Sequence, residues 1–179
     1  MAAINHQSPF LSSLSLLSSS RTMPTDKPMT LHYKRSRFVA HLPVAHLYTP
    51  SHAWLARQAD GAWRVGITKF ATRMLGDMVD HGWEVAPGTA VTCGQVVGWV
   101  EGFKAISDLF CVVDGNFTAP NAVLKEKLSL VNKDPHIAGW LYEATGSPDP
   151  KCMDVHAYVK LLDKTIDKIL EKEMAEGSQ

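Results

Sequence analysis

Val100-Glu-Gly-Phe-Lys-Ala-Ile-Ser-Asp-Leu-Phe110 decides how this chain is read: two strand-like runs meet at a short turn that holds one amine, Lys104, at its tip. Val97, Trp99 and Val100 lead into the reversal, and Leu109, Phe110, Val112 and Val113 lead out of it. Apolar runs on either side of a few small and polar residues predict a β-hairpin, with Gly102 supplying the backbone freedom of the turn. Glu101 and Asp108 flank the lysine, and Phe103 and Ala105 stand directly beside it. Exposed turn lysines are common, but a bulky apolar residue at the same tip calls for something that docks there.

Outward from the hairpin, short apolar runs alternate with Gly and Pro punctuation from Leu42 to Glu143, which predicts a compact all-β unit. The expected strands are 53–56, 63–67, 78–79, 90–92, 95–101, 109–113 and 139–142. Thr68 reads as an N-cap, residues 69–75 as about two helical turns and Gly76 as the position that ends them. After the cap residue Asp154, Val155, Tyr158, Val159, Leu162, Ile166, Ile169 and Leu170 recur at three- and four-residue steps, predicting an amphipathic helix that packs on the β-core or on a partner. Gly76-Asp-Met-Val79 is echoed by Gly115-Asn-Phe-Thr118, and Gly98-Trp-Val-Glu101 by Gly139-Trp-Leu-Tyr142. Such an echo suggests two similar β-units paired about a pseudo-twofold axis in a flattened barrel.

The chain of 179 residues balances 18 basic against 18 acidic side chains, so no strong field points to nucleic acid or an anionic membrane. No apolar run approaches the length of a membrane span. Its three cysteines, Cys93, Cys111 and Cys152, are odd in number and lack metal-ligand spacing, which suits a reducing compartment and predicts no bound metal. Cys93 and Cys111 read as small buried hydrophobes within strand-like stretches. Residues 1–30 are Ser-rich and nearly free of acid, and are expected to be a disordered extension with two readings. They are a transit segment, which would place the chain in the mitochondrial matrix, or a mis-assigned start upstream of Met23 in a cytoplasmic bacterial protein. Residues 31–148 then form the domain around Lys104, and 149–179 a linker and closing helix. No serine, cysteine or carboxylate is set beside His52, so a structural role is expected for it and no catalytic residue is assigned. Asp77 is expected to brace the turn after the first helix.

Four ordered blocks between Tyr48 and Leu141 resemble the H-protein family of the glycine cleavage system, small lipoyl carriers. They are Tyr48-Thr-x-x-His52-x-Trp54; Val65-Gly-Ile-Thr68 with Ala71 and Leu75-Gly-Asp-Met-Val79; Glu101-x-x-Lys-Ala-x-Ser-Asp-Leu109; and Leu130-Val-Asn-x-Asp-Pro135 with Gly139-Trp-Leu141. The resemblance implies a mainly β barrel-sandwich hybrid of two small antiparallel sheets, with short helices and a helical C-terminal region. It implies lipoate in amide linkage on Lys104, with Glu101, Phe103, Ala105 and Asp108 as recognition groups around it. It also implies a non-catalytic carrier in glycine catabolism, which moves the aminomethyl group of glycine from a decarboxylase (P protein) to an aminomethyltransferase (T protein). A dihydrolipoyl dehydrogenase (L protein) and a lipoate-attaching enzyme complete the implied partners. Gly102 and Phe103 stand where the family commonly has Ser and Val, and His136 where it has Tyr. Those departures keep open a lipoylated relay for sulfur metabolism or lipoate transfer, and beside it an unmodified binding module.

Overall fold

The computed structural model describes residues 28–176. In chain order its elements are β1 (Thr30–Arg35), β2 (Phe38–Pro43), β3 (Leu47–Tyr48), β4 (Ala53–Arg57), β5 (Trp63–Ile67), α1 (Lys69–Leu75), β6 (Met78–Trp83), β7 (Ala90–Val91), β8 (Val96–Gly102), β9 (Ala105–Phe110), β10 (Val113–Pro120), a 3-10 turn at Ala122–Lys125, α2 (Leu130–Lys133), β11 (Tyr142–Pro148) and α3 (Val155–Glu176). A six-stranded sheet in the order β3-β4-β5-β11-β10-β7 faces a three-stranded sheet in the order β6-β8-β9, and β1-β2 forms a separate hairpin. Every named strand pair is antiparallel. The fold is the mainly β, barrel-sandwich type that the sequence implied.

Leu55, Val65, Val97, Val113, Phe117 and Leu141 are buried in one core cluster to which both larger sheets contribute. Burial of such side chains is the main favourable term in folding, about 1.5–3 kcal/mol for each. Two glycines permit the close packing. A Cβ on Gly66 would run into the Trp54 indole, and one on Gly82 into that of Trp99. The buried Trp54 is further fixed by Nε1 donating to the Ile67 carbonyl at 3.1 Å.

A second core forms where α3 lies against β1 and β2. Tyr33, Phe38, Leu42, Tyr48, Phe70, Tyr158, Leu162 and Ile166 are its buried members. The Tyr48 and Tyr158 rings stack at 4.6 Å and 11°. Asp154 Oδ1 accepts from Ala157 N at 2.8 Å, so the expected cap is made, and the helix runs on to Glu176, beyond its last strongly periodic residues. Arg35 crosses from β1 to Asp163 at 3.2 Å and Asp167 at 2.7 Å, and Tyr33 Oη donates to Asp163 at 2.9 Å.

Several boundaries differ from those expected. The hairpin β1-β2 is not among the expected strands; its buried face packs on α3 at the far end of the chain, and Thr30 carries β1 into the segment expected to be disordered. The run 109–113 spans the end of β9, a break in the strand at Cys111 and Val112, and the start of β10. Residues 139–141 are loop, and only Tyr142 begins a strand. A Cβ on Gly139 would strike the Leu130 carbonyl, so this glycine serves a close loop packing rather than the counterpart of Gly98 in β8. Cys93 lies in a turn, while Cys111 is buried as expected. The bulk of the N-terminal extension, residues 1–27, lies outside the described residues.

Ile166 is fully buried between α3 and the hairpin. Ile166→Ala should cost about 2–5 kcal/mol through lost burial and the cavity left behind. Urea denaturation followed by tryptophan fluorescence measures it; an unchanged midpoint would mean that α3 is not integral to the fold.

Candidate functional site

Strands β8 and β9 pair in register from Glu101↔Ile106 to Gly102↔Ala105, which leaves Phe103 and Lys104 as a two-residue loop. The loop is seated on the C-terminal turn of α1. Lys104 N donates to the Leu75 carbonyl at 2.9 Å and Phe103 N to the Asp77 carbonyl at 3.1 Å. Helix C-termini leave carbonyls without intrahelical partners, and here the hairpin supplies donors to that end of the helix. Thr68 caps the other end, its side chain accepting from Ala71 N, and Gly76 N returns to the Thr72 carbonyl.

Gly102 has a role other than the one expected of it. Its φ is not in the left-handed region, whereas a Cβ there would collide with the Leu75 carbonyl. The glycine is required for the close approach of strand to helix rather than for the turn. The brace on the segment after α1 likewise comes from Asn132 of α2. Its Oδ1 accepts from Met78 N at 3.0 Å and its Nδ2 donates to the Gly76 carbonyl at 3.2 Å, while Asp77 contributes its backbone carbonyl.

The Lys104 ammonium is exposed and reaches the Arg73 carbonyl at 3.4 Å. Phe103 is 78% exposed and Ile106 66%, so two large apolar side chains flank the amine in solvent. Ala105 and Asp108 are exposed and Glu101 is half-buried. The register sets Asp80 of β6 opposite Glu101, and Trp99 opposite Asp108. Like charges facing each other across strands cost stability, and Asp80, Glu101 and Asp108 make no ion pair among the described residues. No local spacing points to Asp80, because only the sheet register brings it opposite Glu101. A cavity of about 140 Å³ opens beside this seat between α1 and β9, lined by Ala53, Ile67, Leu75, Val100, Asp108 and Leu109 among others. Leu75 belongs to both seat and cavity wall.

Residues 46–165 match the model of the glycine cleavage H-protein family. The chain belongs to the glycine cleavage H-protein family. It is 34% identical over 128 residues to the glycine cleavage system H protein of Enterobacter sp. (strain 638), covering 70% of this chain and 98% of that protein. Against the glycine cleavage system H protein of Mycobacterium bovis (strain BCG / Pasteur 1173P2) the identity is 45% over 105 residues, 59% of this chain and 78% of the other. The crystal structure of a glycine cleavage system H protein from Mycobacterium marinum superposes with a TM-score of 0.60 at 31% identity, covering 66% of this chain and 97% of that one. Membership makes the chain a non-catalytic carrier of glycine cleavage, in a family that carries lipoyl groups. No described helix is long and apolar enough to cross a membrane.

Three histidines, His46, His52 and His136, serve the scaffold. His52, in the left-handed region at φ 63°, shares a 2.9 Å hydrogen bond through Nδ1 with Tyr158 Oη, which also meets Thr68 Oγ1 at 3.0 Å. His46 stacks on Trp54 at 4.8 Å and faces His136 at 5.6 Å. His46 Nδ1 and both ring nitrogens of His136 are buried with no hydrogen-bond partner among the described residues. Burial pushes His46 and His52 down to about 4. Burial, reinforced by His46, pushes His136 to about 3. Burial penalises the charged imidazolium, so the folded state binds fewer protons than the unfolded chain between these values and the ordinary 6.5. The resulting stability is present above pH 6.5 and is lost as pH falls toward 4. Thermal melts should show a Tm that declines below pH 6.5, with a shallower slope in His136→Phe. A Tm independent of pH across that window would contradict the burial of neutral histidines.

Proposed function

We propose that Lys104 is the lipoyl attachment point of this carrier, and that Glu101, Phe103, Ala105 and Asp108 form the surface by which an attaching enzyme recognises it. The observation that carries the reading is the seat of the tip: one exposed amine on a two-residue loop held by hydrogen bonds to the Leu75 and Asp77 carbonyls. The tip backbone is held by those two bonds, and the side chain alone extends from it, its ammonium reaching the Arg73 carbonyl. That fits a long acyl arm. When bound, lipoate supplies a dithiolane for group transfer and thiol–disulfide exchange, and the protein supplies position.

The chain's own residues do three things. Leu75 and Gly102 set the origin of the arm by allowing the hairpin to close on α1. The cavity beside the seat, walled by Ala53, Ile67, Val100 and Leu109, offers an apolar shelter for the far end of an arm and limits its exposure to water. Asp80, Glu101 and Asp108 make an acidic face around the tip, and a basic surface on the attaching enzyme would select this lysine among the chain's others. The cognate partners on this reading are the glycine decarboxylase, the aminomethyltransferase and the dihydrolipoyl dehydrogenase, each of which has to reach the same arm. Tethering keeps the cargo at high effective concentration near each of them.

Protein produced in a lipoate-supplied host should support glycine-dependent carbon dioxide exchange by a glycine decarboxylase, and Lys104→Arg should reduce that exchange to background. Exchange that persists in Lys104→Arg would overturn the assignment of the lysine. Absence of exchange in the unaltered protein, beside a working relative, would overturn the partner assignment.

A further inference from the structure

The hairpin β1-β2 lies outside residues 46–165, the part that matches the family, and so does the end of α3. The Enterobacter relative is matched over 98% of its length by 70% of this chain, so a good part of this chain has no counterpart there. The hairpin meets the carrier at one consequential place. Phe38 of β2, itself buried, packs against Phe70 of α1 with ring centroids 5.7 Å apart. Arg73, in the last turn of α1, lays its guanidinium over the Phe38 ring at 4.7 Å and donates through Nη1 to the Arg37 carbonyl. The carbonyl of that same Arg73 accepts from the Lys104 ammonium, and Leu75, two residues on, accepts from Lys104 N.

The other side of the hairpin is anchored. Arg35 pairs with Asp163 and Asp167 of α3, and Arg37 with Glu173. The terminal turn of α1 is therefore gripped by a hairpin that is itself tied to a long helix packed on the core. A seven-residue helix has few hydrogen bonds of its own to hold its last turn, and tertiary packing has to do so.

We propose that the β1-β2 hairpin braces the seat of Lys104 through Phe38 and Arg73, and that Arg73 is a positioning residue for modification of that lysine. This rests on the reading of Lys104 as the attachment point. Arg73 acts through its side chain on the hairpin and through its backbone on the tip, so loosening one loosens the other. The attaching enzyme meets a tip whose backbone is already ordered and does not have to order it on binding.

Two readouts test this. In full-length Arg73→Met and Phe38→Ala, residue-resolved amide exchange at Lys104 should speed up by about tenfold or more, while amides of β5 and β10 stay within about twofold of the unaltered protein. Arg73→Lys, which keeps a cation over the ring without the planar fork, should fall between and serves if the other variants fold poorly. With a lipoate-attaching enzyme, KM for the Arg73→Met protein should rise about fivefold with kcat nearly unchanged, the mark of lost pre-ordering rather than lost chemistry. Two outcomes overturn the brace: Lys104 exchange unchanged while β1-β2 amides speed up, or a uniform acceleration through the core that tracks a fall in global stability. If the unaltered protein is not lipoylated, the attachment reading fails, and amide exchange still decides the brace.

Discussion

The hydrogen bond from Lys104 N to the Leu75 carbonyl is the contact on which the functional geometry depends. It can form only because Gly102 lacks a Cβ, since any side chain there would meet the same carbonyl. A backbone bond of this kind adds only about 1 kcal/mol net, yet it converts an exposed hairpin end into a fixed platform. Both sides of the contact are well supported. β8 lies at the centre of its sheet, between β6 and β9, and α1 is capped by Thr68, followed by the Asn132 clamp and gripped by the hairpin β1-β2. The amine thus extends on an exposed side chain from a backbone held by hydrogen bonds.

The two cores divide the work. The cluster shared by the larger sheets builds the carrier and sets the register that gathers Asp80, Glu101 and Asp108 around the tip. The cluster under α3 takes in Tyr33, Phe38, Leu42 and Ile166, which lie outside the family match, and is tied to the first through buried Tyr48 and Trp54 and through the His52–Tyr158–Thr68 bonds. Three histidines whose protonation is opposed by burial lie along this junction, so acid weakens the scaffold there. The unpaired ring nitrogens of His136 are a cost carried by packing against Trp54.

Local signals were legible wherever one segment decides its own structure. Thr68 and Gly76 bracket α1, the run 63–67 is a strand because its apolar residues face a core, and the spacing from Val155 to Ile166 writes a helix face. Lys104 was legible from the apolar runs on either side of it. What failed were features set by a distant partner. Strand β11 was expected only as 139–142, yet it runs on to Pro148 beside β10, where Gly115 and Gly146 lie opposite each other and a Cβ on either would strike the neighbouring backbone. The start of β9 was missed because Ile106 and Asp108 point outward and leave no alternation of buried positions to read. The role of Gly102, the neighbourhood of Asp80 and the hairpin β1-β2 all require contacts across the fold, and no local spacing encodes them.

The account stands or falls on whether the tip amine is the one that is used. Intact-mass and peptide mass analysis of the protein purified from its own cells reads this directly. A single lipoyl increment confined to the peptide containing Lys104 is the predicted result. An unmodified Lys104 in a cell that lipoylates its other carriers, or a lipoyl group on a different lysine, would contradict it.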